Sequence, residues 1–408
     1  LWRLLMVEKF NPTSDFPKLD RTNEALGPGG GEDLDVEEVG QEVELDQPKT
    51  ESNVELVQDG SAVINPEEPQ IQATFNSNLA EFLDESYLQA LANDLNEKVD
   101  NDKATREDWE QSYTKGLDLL GFKYEERTRP FRGAASVNHP MLAQAVTQFQ
   151  AMAYVELLPA DGPVRTQVVG ANSPQIQSAA ERVKDYMNYE ITHVMEDYNP
   201  EMDTLLFQLP LAGSAFKKVY YDEVLGRATS KFIPAEDVIV PYGCSDLDDC
   251  ERITQVLKMT MNDLRKKQVS GFYLDIPSVG YDGTNGSDLQ EKKDQIDGES
   301  PGNYAMDDMA ELYELHVDLD LEGFEDINPV DGEPTGIKLP YIVTIDKSSN
   351  AVLSIYRNYN ANDPLRKKND YFVHYKFLPG LGFYGFGLIH MIGGLTRTAT
   401  SALRQLLD

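Results

Sequence analysis

The spacing of apolar residues changes at Gly213, and this change limits the fold classes open to the chain. From Leu79 up to this glycine, apolar residues recur every three or four positions, which is typical of amphipathic helices. After it, short runs rich in β-branched and aromatic residues alternate with turn residues, which is typical of strands. The sequence therefore predicts an α+β protein with most of its helices first.

Proline and capping residues mark the ends of the predicted helices. Pro140 stands where a helix can begin and Pro159 where it must end, while Ser173 is a good N-cap before Pro174. We expect helices over residues 79–95, 102–120, 140–158 and 173–199, and a further helical piece that ends near 211.

The later part of the chain contains the strand signals. Residues 215–221 and 227–233 flank a Leu225-Gly226 turn and predict a β-hairpin. Thr260 predicts the N-cap of a short helix over 260–267. Further strands are expected at 238–242, 252–259, 311–319, 339–345, 352–357 and 371–377, an exposed loop or domain boundary at 278–303, and a helix over 396–407.

The first part of the chain is acidic and poor in core-forming residues. Residues 11–72 are rich in Glu, Asp, Gly and Pro, and GEDLDVEEVGQEVELD at 31–46 contains no basic residue. Such a segment buries too little apolar surface to offset its conformational entropy. We therefore predict a solvated tail, with globular order beginning near Asn76.

The whole chain carries a formal charge of −34, from 70 acidic and 36 basic residues. Nucleic-acid binders neutralise phosphates with clustered Lys and Arg, so this balance disfavours a conventional DNA grip. No run of about 18 apolar residues is present, so no transmembrane helix is expected. Two cysteines, Cys244 and Cys250, are too few for a disulfide framework and favour a reducing compartment.

Enzyme motifs are missing from the sequence or lack their context. The phosphate-binding loop and the HExxH zinc motif do not occur. The string GESPG at 298–302 fits GxSxG but lies in a predicted loop, and GLGFYG at 380–385 fits GxGxxG but does not open the helix predicted at 396. The five histidines are scattered singly, and His374, inside a predicted strand, is expected to be a packed residue. The glycine-aromatic stretch LPGLGFYGFG at 378–387 lacks a phosphate-binding Lys, so we interpret its glycines as hinge or close-packing residues. No cofactor is predicted.

Three charged groups are candidates for binding, and a fourth has an ordinary structural role. Asp246, Asp248 and Asp249 could hold Mg²⁺ or Ca²⁺, although a solvated loop is the more ordinary reading. Arg366, Lys367 and Lys368 follow Asp363-Pro364 in a loop and are candidates for a partner contact. Arg265, Lys266 and Lys267 complement a helix dipole. Arg127, Arg129 and Arg132 fit either a subunit or nucleic-acid contact or an ordinary loop.

The order of several motifs over residues 76–408 resembles the portal, or head-to-tail connector, proteins of short-tailed double-stranded-DNA bacteriophages. The resemblance is carried by QFQAMAYVELLP (148–159), LAGSAFKKVYYD (211–222), FIPAEDVIVP (232–241), ERITQVLKMTMNDLRKK (251–267), the ELYEL strand, and VHYKFLPGLGFYGFGLIHMIGGLTRTATSALRQLLD (373–408). In such proteins about twelve copies form a ring around a DNA channel.

The resemblance implies a domain order. Residues 1–75 would be the acidic tail, 76–303 a wing-like α+β domain, 304–387 a clip-like β-rich domain, and 388–408 the start of a stem helix. The clip candidates would be Arg366, Lys367 and Lys368, and the channel candidates Thr396, Arg397 and Arg404. The remainder of the stem, the tunnel loop and the crown would be missing, so the sequence is expected to be truncated.

The resemblance also implies partners and a location. The expected partners are further copies of the chain, the terminase large subunit, a head-tail adaptor, the capsid or scaffold protein and passing double-stranded DNA, at the portal vertex of a virion assembled in the host cytoplasm. No membrane is involved. Two other hypotheses remain open: a metal-dependent hydrolase using Asp246, Asp248 and Asp249, and an acidic scaffold or interaction protein working through residues 11–72.

Overall fold

The computed structural model describes residues 54–56, 62–64, 74–122, 131, 133–170, 173–222, 225–278, 288–298, 309–327 and 333–408. Two compact units are present, Leu1–Gln70 and Ile71–Asp408. The described residues of the first are two antiparallel strands, β1 (Val54–Leu56) and β2 (Ala62–Ile64). No strand was predicted there, because each strand is only three residues long and lies in an acidic segment. The remainder of the predicted tail lies outside the described residues.

The second unit begins with helices, as predicted. Ser173 caps the helix that begins at Pro174 by accepting a hydrogen bond from the backbone N–H of Ile176, and Pro174 occupies the first turn. Pro200 lies in the first turn of the helix that begins at Tyr198, where its missing N–H costs no helical hydrogen bond. The helices are α1 (Glu85–Thr105), α2 (Glu107–Leu117), α3 (Met141–Leu157), α4 (Pro174–Tyr189) and α5 (Tyr198–Ala212).

Two antiparallel sheets follow, which makes the protein an α+β protein. The strands are β3 (Ser214–Asp222), β4 (Arg227–Pro234), β5 (Val238–Ile239), β6 (Arg252–Thr260), β7 (Met309–Leu319), β8 (Leu339–Asp346), β9 (Ala351–Arg357) and β10 (Phe372–Lys376). One sheet has the strand order β10-β3-β4 and the other β5-β6-β7-β8-β9.

These sheets cross the boundary that the sequence placed at 303/304. Leu315 of β7 is opposite Thr254 of β6, and Phe372 of β10 is opposite Lys218 of β3. Strands from the two predicted domains therefore share both sheets, and their residues belong to one compact unit. A separate clip-like domain over 304–387 does not match this pairing.

Three further helices belong to this unit: α6 (Met261–Val269), α7 (Asp288–Asp297) and α8 (Leu388–Leu407). Helix α7 lies where a loop was predicted. The segment has few apolar residues, and Leu289 is the one side chain of the helix that is fully buried. Two of its lysines form ion pairs, Lys292 with Asp118 and Lys293 with Glu236. Helix α8 begins eight residues before the predicted start at Thr396. Among the described residues, none of the helices combines the length and apolar character needed to cross a bilayer.

Three of the four glycines in residues 378–387 pack closely, as predicted, whereas Gly382 has open space around it. Gly387 lies against the end of α5, so that a β-carbon at this position would lie 2.1 Å from the carbonyl oxygen of Leu211. Gly213 has a φ of +83° and approaches the backbone of Gly385. Only glycine permits this crossing of two backbones, which fixes the start of α8 against the start of β3.

Arg106, at the junction of α1 and α2, ties the helices to the strands. Its guanidinium is buried and donates to the carbonyl oxygens of Ala235 (3.3 Å), Glu236 (2.5 Å) and Val238 (2.8 Å) and to the hydroxyl of Tyr384 (3.2 Å). One helical turn earlier, Asp102 accepts two hydrogen bonds from Arg252 of β6, at 2.7 and 3.1 Å.

We predict that Arg106→Met lowers the free energy of unfolding by about 3 kcal/mol, because several buried acceptors lose a charged donor at once. Urea denaturation followed by circular dichroism measures the change. Arg182→Met on the exposed surface of α4 is the matched control and should cost less than about 0.5 kcal/mol. Equal effects of the two substitutions would contradict the role given to Arg106.

Candidate functional site

The structure brings together two groups that the sequence placed far apart. The segment between β5 and β6 contains the acidic loop, defined here as residues 244–250. The ammonium group of Lys368, 120 residues from Asp248, donates to the carbonyl oxygens of Leu247 (2.9 Å), Asp248 (2.9 Å) and Cys250 (3.5 Å). Lys368 is therefore used inside the chain, and not on the free surface expected for a partner contact.

A second lysine holds the same loop. Lys376, at the end of β10, donates to the carbonyl oxygen of Ser245 (3.1 Å) and to a carboxylate oxygen of Asp246 (3.2 Å). The side chains of Asp246, Asp248 and Asp249 are exposed. Within the described ranges, no three Asp, Glu, His or Cys side chains form a group that could hold a metal. The cations that bind this loop in the structure are lysines.

The loop that carries Lys368 is shaped by Asp363. Its carboxylate accepts hydrogen bonds from the backbone N–H groups of Leu365 (3.0 Å) and Lys367 (3.2 Å), a turn that Asp before Pro favours. Arg366 pairs with Asp326 and lies 5.9 Å from the ring centre of Tyr359. Of the three predicted partner-binding residues, Lys367 is the one whose side chain is exposed.

A shallow cleft lies beside the acidic loop, between the two sheets. Its lining includes Leu247, Asp248, His316, Asn358, Lys368 and Phe372. Asn358 is 2% exposed, and its side-chain oxygen has no hydrogen-bond partner among the described residues. The cleft therefore brings a histidine of β7 together with an amide and a lysine from the segment between β9 and β10.

Behind the cleft lies a partly buried charge cluster that was not predicted from the sequence. Lys218 of β3 pairs with Glu314 of β7 and donates to Gln255 of β6 at 3.1 Å. A ring nitrogen of His316 is 2.8 Å from the same carboxylate. Burial disfavours the charged carboxylate, but Lys218 and His316 outweigh it and lower the pKa of Glu314 to about 2. The available signal was the strand alternation, which places 314 and 316 on one face.

His374 is a packed strand residue, as expected. Its ring lies 4.3 Å from that of Phe216 and 4.7 Å from that of Phe383, centre to centre. Burial lowers its pKa to about 3. The hydroxyl of Ser214 is 3.0 Å from a ring nitrogen, but Ser214 is buried and also accepts from the N–H of Gly385. This pair connects β3 to residues 378–387 and offers no accessible nucleophile.

The three predicted channel residues have different environments. Thr396 is 1% exposed and donates to the carbonyl oxygen of Ile392, so it faces the core. Arg404 donates to the carbonyl oxygen of Val137 at 2.9 Å. Arg397 is exposed. Thr396 and Arg404 therefore contact other parts of the protein, and of the three residues only Arg397 is exposed. The predicted cluster of Arg127, Arg129 and Arg132 lies outside the described residues.

A second candidate site is an apolar surface on α4. No residue of this helix is buried. Ile176, Val183 and Met187 lie on one face at helical spacing and are 43%, 52% and 42% exposed. We call these three residues the α4 surface. Nearby in sequence, the end of α3 exposes Met152, Val155 and Leu157. Such exposure marks interaction sites in soluble proteins.

In comparisons with known proteins, no family model and no curated protein matches this sequence.

We predict that Lys368→Met destabilises the protein by about 2 kcal/mol, because the acceptors on the acidic loop lose their charged donor. Lys367→Met, one position away and exposed, is the control and should change stability by less than about 0.5 kcal/mol. Thermal unfolding of both variants measures this. A stable Lys368→Met protein would show that the loop does not need its lysine.

Acid should selectively weaken the Glu314 cluster. Because the folded pKa of about 2 lies below the ordinary 4.5, this carboxylate stabilises the fold above pH 4.5, and its contribution is lost as the pH falls towards 2. We expect the stability difference between the native protein and Glu314→Gln to be roughly 3 kcal/mol near pH 7 and to shrink below pH 4.5. Urea denaturation at several pH values tests this. A pH-independent difference would contradict it, and Asp248→Asn, on an exposed carboxylate, should leave the profile unchanged.

Proposed function

We propose that this chain is a structural subunit of a ring, a portal protein at one vertex of a tailed-phage capsid, with no catalytic activity of its own. The α4 surface is the observation that carries the proposal. An apolar helix face that its own chain leaves uncovered is stable in water only at a cost, and a neighbouring subunit would cover it.

The contact would be between different faces of neighbouring copies. Contacts of this head-to-tail type close into rings when the rotation between subunits divides a full turn. In the proposed ring, about twelve copies would surround a channel for double-stranded DNA. The terminase large subunit, a head-tail adaptor and the capsid or scaffold protein would bind the ring from outside.

The charge of the chain agrees with a channel through which DNA slides. A basic lining would hold phosphates by releasing their counterions, whereas an acidic lining gives no such grip. The formal charge of −34 therefore suits a conduit better than a DNA-binding enzyme. Residues 366–368 support the docking role less than the sequence suggested, because Arg366 and Lys368 have internal partners.

Native mass spectrometry and negative-stain imaging of the full-length gene product test this proposal. We expect a ring of about twelve subunits with a central hole. Val183→Asp on the α4 surface should shift the protein towards monomers, whereas Gln177→Asp, an equally charged change at an exposed polar position of the same helix, should leave the ring intact.

A native protein that stays a monomer or dimer would overturn the proposal. Rings that survive Val183→Asp would remove α4 from the subunit contact. Deletion of residues 1–72 separates this function from that of an acidic interaction protein, because a ring built by the folded body should still assemble.

A further inference from the structure

The acidic loop has a cysteine at each end of its seven residues. Cys250 is buried and Cys244 is half-buried, and both pack in the core cluster that contains Val240 and Ile253. The thiol of Cys244 contacts that of Cys250, and the Cys250 thiol also donates to the carbonyl oxygen of Asp246 at 3.2 Å. Both cysteines are free thiols in the structure.

Two lysines hold this loop against the rest of the protein without any help from sulfur. Lys376 binds the carbonyl oxygen of Ser245, and Lys368 binds those of Leu247, Asp248 and Cys250. The backbone N–H of Cys250 also donates to the carbonyl oxygen of Leu247. A loop that these bonds already order loses little additional entropy when a covalent bond joins its ends.

We propose that Cys244 and Cys250 are a redox-active dithiol, which small-molecule disulfides such as oxidised glutathione convert into an intramolecular disulfide across the neck of the acidic loop. The reaction is two successive thiol–disulfide exchanges. It consumes one molecule of the reagent, which is reduced to two thiols, while the two cysteines are oxidised by two electrons and lose two protons.

The structure also gives the order of the two steps. Burial raises the pKa of Cys250, so its thiolate is scarce, while Cys244 is the more exposed sulfur. Cys244 therefore attacks the reagent first and expels one thiol, forming a mixed disulfide. The sulfur of Cys250 then loses its proton, attacks the sulfur of Cys244 and expels the second thiol.

Oxidation would change how the loop is held. In the reduced protein its shape depends on hydrogen bonds from Lys368 and Lys376, which come from distant parts of the chain. In the oxidised protein the loop would be a covalent ring and would keep its shape if those lysines were engaged elsewhere. The wall of the cleft formed by Leu247 and Asp248 would thus be fixed by redox state. This inference is independent of the proposed ring.

Intact-mass spectrometry after incubation of the native protein with oxidised glutathione tests the dithiol. We expect the mass to fall by two hydrogens with no glutathione retained, and non-reducing peptide mapping should give one cross-link between Cys244 and Cys250. Cys250→Ser should retain one glutathione on Cys244. Cys244→Ser should react at least about tenfold more slowly, because its remaining thiol is buried.

Several outcomes would overturn the proposal. One is a native protein that keeps both thiols reduced under conditions that oxidise dithiothreitol, and another is cross-linking between chains only. Lys368→Met gives a further test, because a loop without its clamp should close the ring about tenfold more slowly than in the native protein. The same rate in both proteins would show that the lysine does not hold the cysteines together, and Lys367→Met serves as the matched control.

Discussion

The fold depends on Arg106, whose guanidinium lies where the helical and sheet parts meet. Residues 235–237 join β4 to β5, which begins at Val238, and the buried carbonyl oxygens at this junction need donors. Arg106 supplies them from the α1–α2 junction and also contacts the Tyr384 hydroxyl, so one side chain connects three regions that are distant in sequence. The ring of Tyr384 stacks on Trp109 at 4.5 Å, which fixes residues 378–387 against the same helix.

The strand β3 explains why charges are buried in this protein. Lys217 and Lys218 are neighbours, so their side chains point to opposite faces of the strand, and both faces are covered. Lys217 lies 4.2 Å from the ring centre of Tyr198 on α5, and burial lowers its pKa to about 8. On the other face, Lys218 forms an ion pair with Glu314. At this point of β3 both lysine side chains are thus covered, Lys218 beside a carboxylate and Lys217 beside an aromatic ring.

Local signals predicted much of the fold and little of the site. Ser173 and Thr260 act as caps where the sequence placed them, and the hairpin around Leu225-Gly226 has the predicted strands within about one residue. Helix α7 was not predicted, because it places only Leu289 and Ile296 on the core, too few apolar residues to show a helical period. The contact of Lys368 with the acidic loop joins residues 120 positions apart, and no local pattern records such a pairing. Thr396 was predicted to face a channel, whereas it packs on the core. The sequence showed the helix but not which of its faces is buried.

The internal use of basic residues bears on how copies of this chain would associate. Arg106, Arg252, Lys218, Lys293 and Lys368 all point into the folded body, where they bind carboxylates or carbonyl oxygens. Arg252, Lys218 and Lys293 are each paired with a carboxylate, so equal charges of both signs are withdrawn there, and the surface keeps the strongly negative balance of the composition. Copies that approach one another repel, and salt weakens that repulsion over distances of about 8–10 Å. Association must then come from contacts that need no charge, and the α4 surface is such a contact, because the free energy of burying Val183 or Met187 depends on the area removed from water.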